Sequence, residues 1–347
     1  MKKIKKLFLI VFVLCFALSA INVYALPNTS VESKLREEYI EQVLPHYLAT
    51  EGARLYSNIK ISNPFPILNN PDNQARLYFI TENDSYIAQL VVTKINNKFY
   101  SSFMFDHNSN IDTVFANNEA LGLVTIDDGI LILQTADNNY TISNPNRSFI
   151  SNDQQVVPSC DLMSVSFTNY TGCINSNNLS RDYYVSLNVR HVNNATVNGA
   201  GLCWAACISA VSNYRMGTNY NAIGLYNELY ELYNEVPCGT DLWYYRGYAH
   251  CRMICTCTSG MSFTDLYAQL ANDKPAIFGL YNSGGTTGHA VVCKYFNGGN
   301  EYSTYGFMDP NKQNTVYVNF YDPDLDPSNF VYSDGSTTYD EWLYTRY

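Results

Sequence analysis

Hydrophobic positions along the chain change their period twice. Over residues 29–52, Leu35, Tyr39, Ile40, Val43, Leu44 and Tyr47 recur at helical spacing, with Ser30 placed to cap the start. Pro45 is expected to kink or split that helix. From Ala75 the period becomes two: residues 77–80, 86–92 and 99–105 read as strands, and Asn96-Asn97 reads as the hairpin turn between the last two. Residues 123–135 read as a second hairpin turning at Asp127-Asp128-Gly129. The pattern predicts one helix packed on an antiparallel sheet over residues 26–150.

Residues 143–180 carry much Asn, Ser and Thr, with Pro145 and Pro158, and residues 151–182 are assigned as a linker in which Cys160 and Cys173 are placed to close a small loop. A new pattern begins at 183. Residues 185–192 read as a short strand, and 202–214, 220–233 and 263–272 as helices, the last capped by Ser262. Residues 236–260 are rich in cysteine and read as irregular. Strands follow at 275–281, 289–296, 301–308 and 315–321, with Asn297-Gly298-Gly299-Asn300 as a turn. Helices followed by an antiparallel sheet make this second region α+β as well. No internal repeat is visible.

The first 25 residues change the picture of where the protein works. Lys2, Lys3, Lys5 and Lys6 precede an apolar run from Leu7 to Ile21, and Val23-Tyr24-Ala25 supplies small residues for cleavage. This is the plan of a cleavable secretory signal, and the run is shorter than the roughly 20 residues of a membrane span. Its removal leaves 322 of 347 residues and moves the formal charge from −10 to −14. The expected mature protein is therefore secreted and acidic, with neither nucleic acid nor membrane as a partner. Nine cysteines remain, an odd number, so in an oxidising compartment at least one thiol is left over from disulfide pairing. Cys251, Cys255 and Cys257 fit no usual zinc spacing, and no metal or other cofactor is expected.

Three positions carry the candidate chemistry. Gly199-Ala200-Gly201-Leu202 runs into a helix that begins with Cys203. Free N–H groups at a helix start favour a thiolate and can stabilise an oxyanion. Gly288-His289 opens an apolar strand, where an imidazole can face a cleft and serve as base. Asp309-Pro310 ends the paired strand, where a carboxylate can orient the imidazole. Cys207, one helical turn beyond Cys203, is expected to bond to a cysteine of the 238–257 cluster. His46, His107, His191 and His250 read as surface or linker residues.

Cys203-Trp204-Ala205 resembles the nucleophile signature of papain-like cysteine peptidases, and Gly288-His289-Ala290-Val291-Val292 resembles their histidine strand. Asp309 stands where papain itself has Asn. In this the chain is similar to the bacteriocin-processing-type peptidases and their secreted bacterial relatives, which use Cys, His and Asp. The resemblance covers about residues 183–321. It implies a papain-like peptidase domain over 183–347, a polypeptide substrate, Cys203 as nucleophile, His289 as general base and acid, and Asp309 as its orienting group. It also implies that residues 26–150 form a prodomain or accessory domain that can inhibit the enzyme until cleavage, so that the protein is made as a zymogen. The family's oxyanion glutamine has no counterpart between residues 156 and 202; Asn194 and Asn198 are the candidate amides. Two other readings stand beside this one: an acyl transferase using the same triad, and a non-catalytic secreted binding protein whose cysteines are all structural.

Overall fold

The computed structural model describes residues 39–41, 43–48, 56–68, 75–95, 98–106, 108–126, 130–142, 159–170, 183–258, 261–282, 288–298, 303–320, 330–333, 338–339 and 341–347. The signal segment, Ser30, Asn96-Asn97, Asp127-Asp128-Gly129, Cys173 and His107 lie outside them. By compactness the chain divides between Leu44 and Pro45, and Pro45–Tyr347 forms one unit. Residues 43–48 are helical straight through Pro45, so the proline does not split the segment.

The first half of the larger unit is mostly strand. β1 (Ile59–Ser62), β2 (Phe65–Leu68), β3 (Arg76–Glu82), β4 (Ser85–Ile95) and β5 (Lys98–Phe105) come first. Helix α1 (Ser109–Ala116) follows, then β6 (Gly122–Ile126), β7 (Ile130–Gln134), β8 (Asn139–Thr141) and β9 (Phe167–Asn169). Alternation makes β3, β4 and β5 antiparallel neighbours, with Leu90 opposite Tyr78 on one side and Phe103 on the other. Phe65, Leu77, Phe79, Val91, Ile111 and Leu123 meet in one hydrophobic core. α1 was not visible in the apolar pattern; Asn108 caps it by accepting from the Asn110 N–H. Part of the expected linker is also built into this layer: β9 pairs with β1, and Met163 bridges to Leu121.

The second half begins with β10 (Tyr183–Ser186), β11 (Thr196–Val197) and β12 (Ala200–Gly201), followed by α2 (Cys203–Met216), α3 (Ala222–Tyr233) and α4 (Asp241–His250). β13 (Cys257–Thr258) and α5 (Phe263–Ala271) lead to β14 (Ala276–Tyr281), β15 (Gly288–Gly298), β16 (Ser303–Met308) and β17 (Thr315–Phe320). β18 (Tyr332–Ser333), β19 (Thr338–Tyr339) and β20 (Glu341–Arg346) close the chain. The expected strand over 185–192 shrinks to β10, and the expected irregular stretch 236–260 contains α4. Trp243, Tyr244, Gly247 and Tyr248 form the buried face of that helix. Two of its turns rest on aromatic rather than aliphatic side chains, which hides the helical period.

α2 packs on β15 and against α3 and α4, through a buried face of Trp204, Ala205, Ile208, Ala210 and Val211. The alanines let the helix lie close to the sheet. Beneath it, β14 to β17 run antiparallel in sequence order, and β20 returns to pair with β14. Phe278 stacks on Trp342 at 3.9 Å across that last pair. β17 then pairs with β5, Val316 opposite Met104 and Val318 opposite Ser102, so one mixed sheet runs through both halves. The fold is α+β.

Candidate active site

Cys203 is the first residue of α2. The segment before it is a tight hairpin, β11 to β12, whose central residues Asn198 and Gly199 both have positive φ, 50° and 80°. Asn-Gly is the pair that suits such a turn, because both residues tolerate left-handed backbone. Leu202 donates its N–H to the Ala195 carbonyl at 2.8 Å and closes the hairpin at the helix entrance. No side chain caps α2. Its first N–H groups are therefore left without a capping side chain, and that of Trp204 acts on the Cys203 thiol.

His289 is the second residue of β15, opposite Leu280 of β14. Val292 of β15 pairs with Met308, the last residue of β16, so Asp309 emerges beside the start of β15. The two side chains meet there: His289 Nε2 lies 2.9 Å from Asp309 Oδ1. Both are buried, with His289 at 5% and Asp309 at 0% exposure. Cys203 is the one residue of the three that keeps partial exposure. Its thiol and the His289 imidazole are near enough that each shifts the other's pKa. Since Nε2 faces Asp309, Nδ1 is the ring nitrogen left for the sulfur.

The electrostatics follow from this packing. Burial pushes the Cys203 thiol up, but the His289 hydrogen bond and charge, with the N–H groups of Ala290 and Trp204, outweigh it and lower its pKa. Burial alone would depress the His289 pKa; the Asp309 carboxylate, with the bond to Cys203, instead raises it well above the ordinary imidazole value. Burial works against ionised Asp309, yet His289, Lys312 and the Tyr332 hydroxyl hold its carboxyl well below the usual range. A thiolate, an imidazolium and a carboxylate in a row is the state these shifts favour.

Asp309 is further held by the Asn311 N–H on Oδ1 at 2.8 Å and by the Tyr332 hydroxyl, which donates to Oδ2. The Tyr339 ring stacks on the imidazole at 5.4 Å and 24°. Sequence reasoning named neither tyrosine. Each sits in a two-residue strand near the C-terminus, where no period can be read.

The two candidate amides end up in different places. Asn198 is exposed at the tip of the β11–β12 hairpin. Asn194 is partly buried: its Oδ1 accepts from the Ala195 N–H, its Nδ2 donates to Asn311 Oδ1 at 2.8 Å, and its backbone N–H bonds to the Pro310 carbonyl. Nδ2 also lies 3.6 Å from where a side chain on Gly201 would begin, two residues before the cysteine. His191 is not a surface histidine: it is half-buried with Nε2 enclosed, and burial lowers its pKa while nearby Asp309 pulls the other way. His250 pairs with Glu228 at 2.7 Å, and burial lowers the pKa of His46.

Among the described residues, all eight cysteines carry free thiols. The expected bond from Cys207 to the 238–257 cluster is not formed. Cys207 is fully buried in the α2 face against the sheet, and that burial pushes its pKa up. No group of three or more metal-binding side chains occurs among the described residues. The chain matches no family model and no curated protein sequence.

Proposed function

We propose that this protein is a secreted cysteine endopeptidase with a papain-like catalytic arrangement. The observation that carries the reading is the buried His289–Asp309 pair at 2.9 Å, with Cys203 at the start of α2 near enough for it and His289 to shift each other's pKa. α2 lying on the antiparallel β14–β17 layer supports the same arrangement.

The chemistry follows from the charge states. The Cys203 thiolate attacks the carbonyl carbon of a peptide bond, forming a C–S bond and an oxyanion. N–H groups at the start of α2 stabilise that oxyanion, and Asn194 keeps one Nδ2 hydrogen beyond its bond to Asn311 to assist. The His289 imidazolium gives its proton to the leaving amine as the C–N bond breaks. Neutral His289 then takes a proton from water, which attacks the thioester and releases the acid and the thiolate. Throughout, Asp309 remains ionised and holds the ring through Nε2.

The deciding experiment is covalent labelling of the purified protein with a peptidyl epoxide, followed by intact mass and peptide mapping. Labelling at Cys203, abolished in Cys203→Ala, is the expected result. No labelling of the wild type, with Cys203 found in a disulfide, would overturn the peptidase reading in favour of a binding protein. Product analysis for new amide bonds separates hydrolysis from acyl transfer.

A further inference from the structure

Two tyrosines of one short hairpin grip the two buried members of the triad. Tyr332 of β18 donates its hydroxyl to Asp309 Oδ2. Tyr339 of β19, paired with Tyr332 across the hairpin, lies on the face of the His289 ring. Asp309 Oδ1 already serves His289 and the Asn311 N–H, so Oδ2 is the atom through which the carboxylate plane can be fixed. Without a donor there, the carboxylate is pinned through one oxygen and can turn about its own Cβ–Cγ bond, taking the imidazole with it.

The hairpin is itself held from the other half of the sheet. Ser102 of β5 is buried and donates its hydroxyl to the Ser333 carbonyl, one residue from Tyr332. β5 is fixed next to β17 by strand pairing and by Tyr47, whose hydroxyl donates to the Ser101 carbonyl at 2.8 Å and accepts from the Asn319 N–H at 2.7 Å. Two hydrogen bonds, joined by the covalent chain between Ser333 and Tyr332, thus link Ser102 of the N-terminal strands to Asp309.

We propose that the β18–β19 hairpin is the positioning clamp of this site, with Tyr332 fixing Asp309, Tyr339 fixing His289, and Ser102 of the N-terminal strands anchoring the hairpin. The N-terminal strands then work as scaffold for the site rather than as a detachable inhibitor. This rests on the triad reading above, while alkylation of Cys203 reports on the clamp without peptide hydrolysis.

The readout is the pH dependence of Cys203 alkylation by iodoacetamide, with kcat and KM on a peptide substrate alongside. A loosely held Asp309 stabilises the imidazolium less, so the thiolate forms at higher pH. Other titratable groups face this cluster: Lys312 and His191 beside Asp309, and Cys207 and Tyr244 beside Cys203. None is altered by the substitutions, so a shift reports on the clamp. In Tyr332→Phe, which keeps the ring, the alkylation profile is expected to move up by about one pH unit. That is about a tenfold loss of rate in mildly acidic buffer. kcat should fall about tenfold with KM unchanged. Ser102→Ala should move the profile the same way, by about half as much.

A folded Tyr332→Phe variant whose profile overlays the wild type would overturn the clamp. Overlay for Ser102→Ala alone would overturn the scaffold role. Should Tyr332→Phe not fold, Ser102→Ala decides: a shifted profile supports the clamp and an unshifted one sinks it. A wild type that alkylates in mild acid but cleaves no peptide would refute the peptidase reading and leave the clamp to be judged on alkylation.

Discussion

At the scale of single residues, the site works through opposed pKa shifts. Cys203 is lowered and His289 raised, so the thiolate–imidazolium pair exists above the first value and below the second. Activity should therefore follow a bell in pH, with its acid limb below the ordinary thiol range and its alkaline limb above the ordinary imidazole value. Asp309→Asn should pull the alkaline limb down, because the charge that raises His289 is gone; a kcat/KM profile checks this. The two candidate amides also part company. Asn194→Ala should lower kcat by about 10²–10³ if its Nδ2 serves the oxyanion. Asn198→Gly should leave kcat unchanged, since glycine accepts the same left-handed turn. Equal losses for both would remove Asn194 from the oxyanion site.

Among elements, β15 and β16 set the distance between His289 and Asp309. Their register slips between Cys293 and Tyr295, and Gly306 sits opposite Tyr295. A Cβ on Gly306 would stand 2.6 Å from the Tyr295 Cβ and 3.0 Å from the Tyr317 ring. Gly306→Ala should thus destabilise the protein by about 1–3 kcal/mol, measured by denaturant unfolding, through overpacking between neighbouring strands. The elements that frame the triad were readable where their signal was local: α2, α3, α5 and β14 to β17 all follow apolar periods and turn residues. α1, α4 and the β18–β19 hairpin were not. α4 turns Trp243, Tyr244 and Tyr248 inward, and the hairpin strands are too short to show alternation. Tyrosine was the hardest residue to read. Tyr47 and Tyr332 bury a ring and use the hydroxyl to join distant segments, which composition alone does not reveal.

For the whole molecule, the change of pattern over 143–182 marks a change of hydrophobic core and not an end of the sheet. Residues such as Phe79 and Leu123 belong to one core, Ile208 and Phe278 to another, and the β5–β17 pairing carries the sheet past both. A fragment of residues 183–347 alone would expose the β17 edge at Val316–Asn319 and lose the Ser102 anchor. Such an edge invites aggregation. The fragment is expected to be insoluble or unfolded, while the uncut chain is folded and open to the probe; circular dichroism and size-exclusion chromatography of both would check it. A soluble, active fragment would favour residues 26–150 as a removable prodomain. What the sequence determined by itself was local: a cysteine at a helix start, a histidine at a strand start, an aspartate after the paired strand, and the α+β class, because period and turn residues act over a few positions. Tertiary structure alone decided which tyrosines meet Asp309 and His289, which amide lies near Gly201, the free state of the described thiols, and the union of two cores on one sheet. Most of these depend on residues tens to hundreds of positions apart, as Ser102 is from Ser333, and no local pattern encodes that pairing.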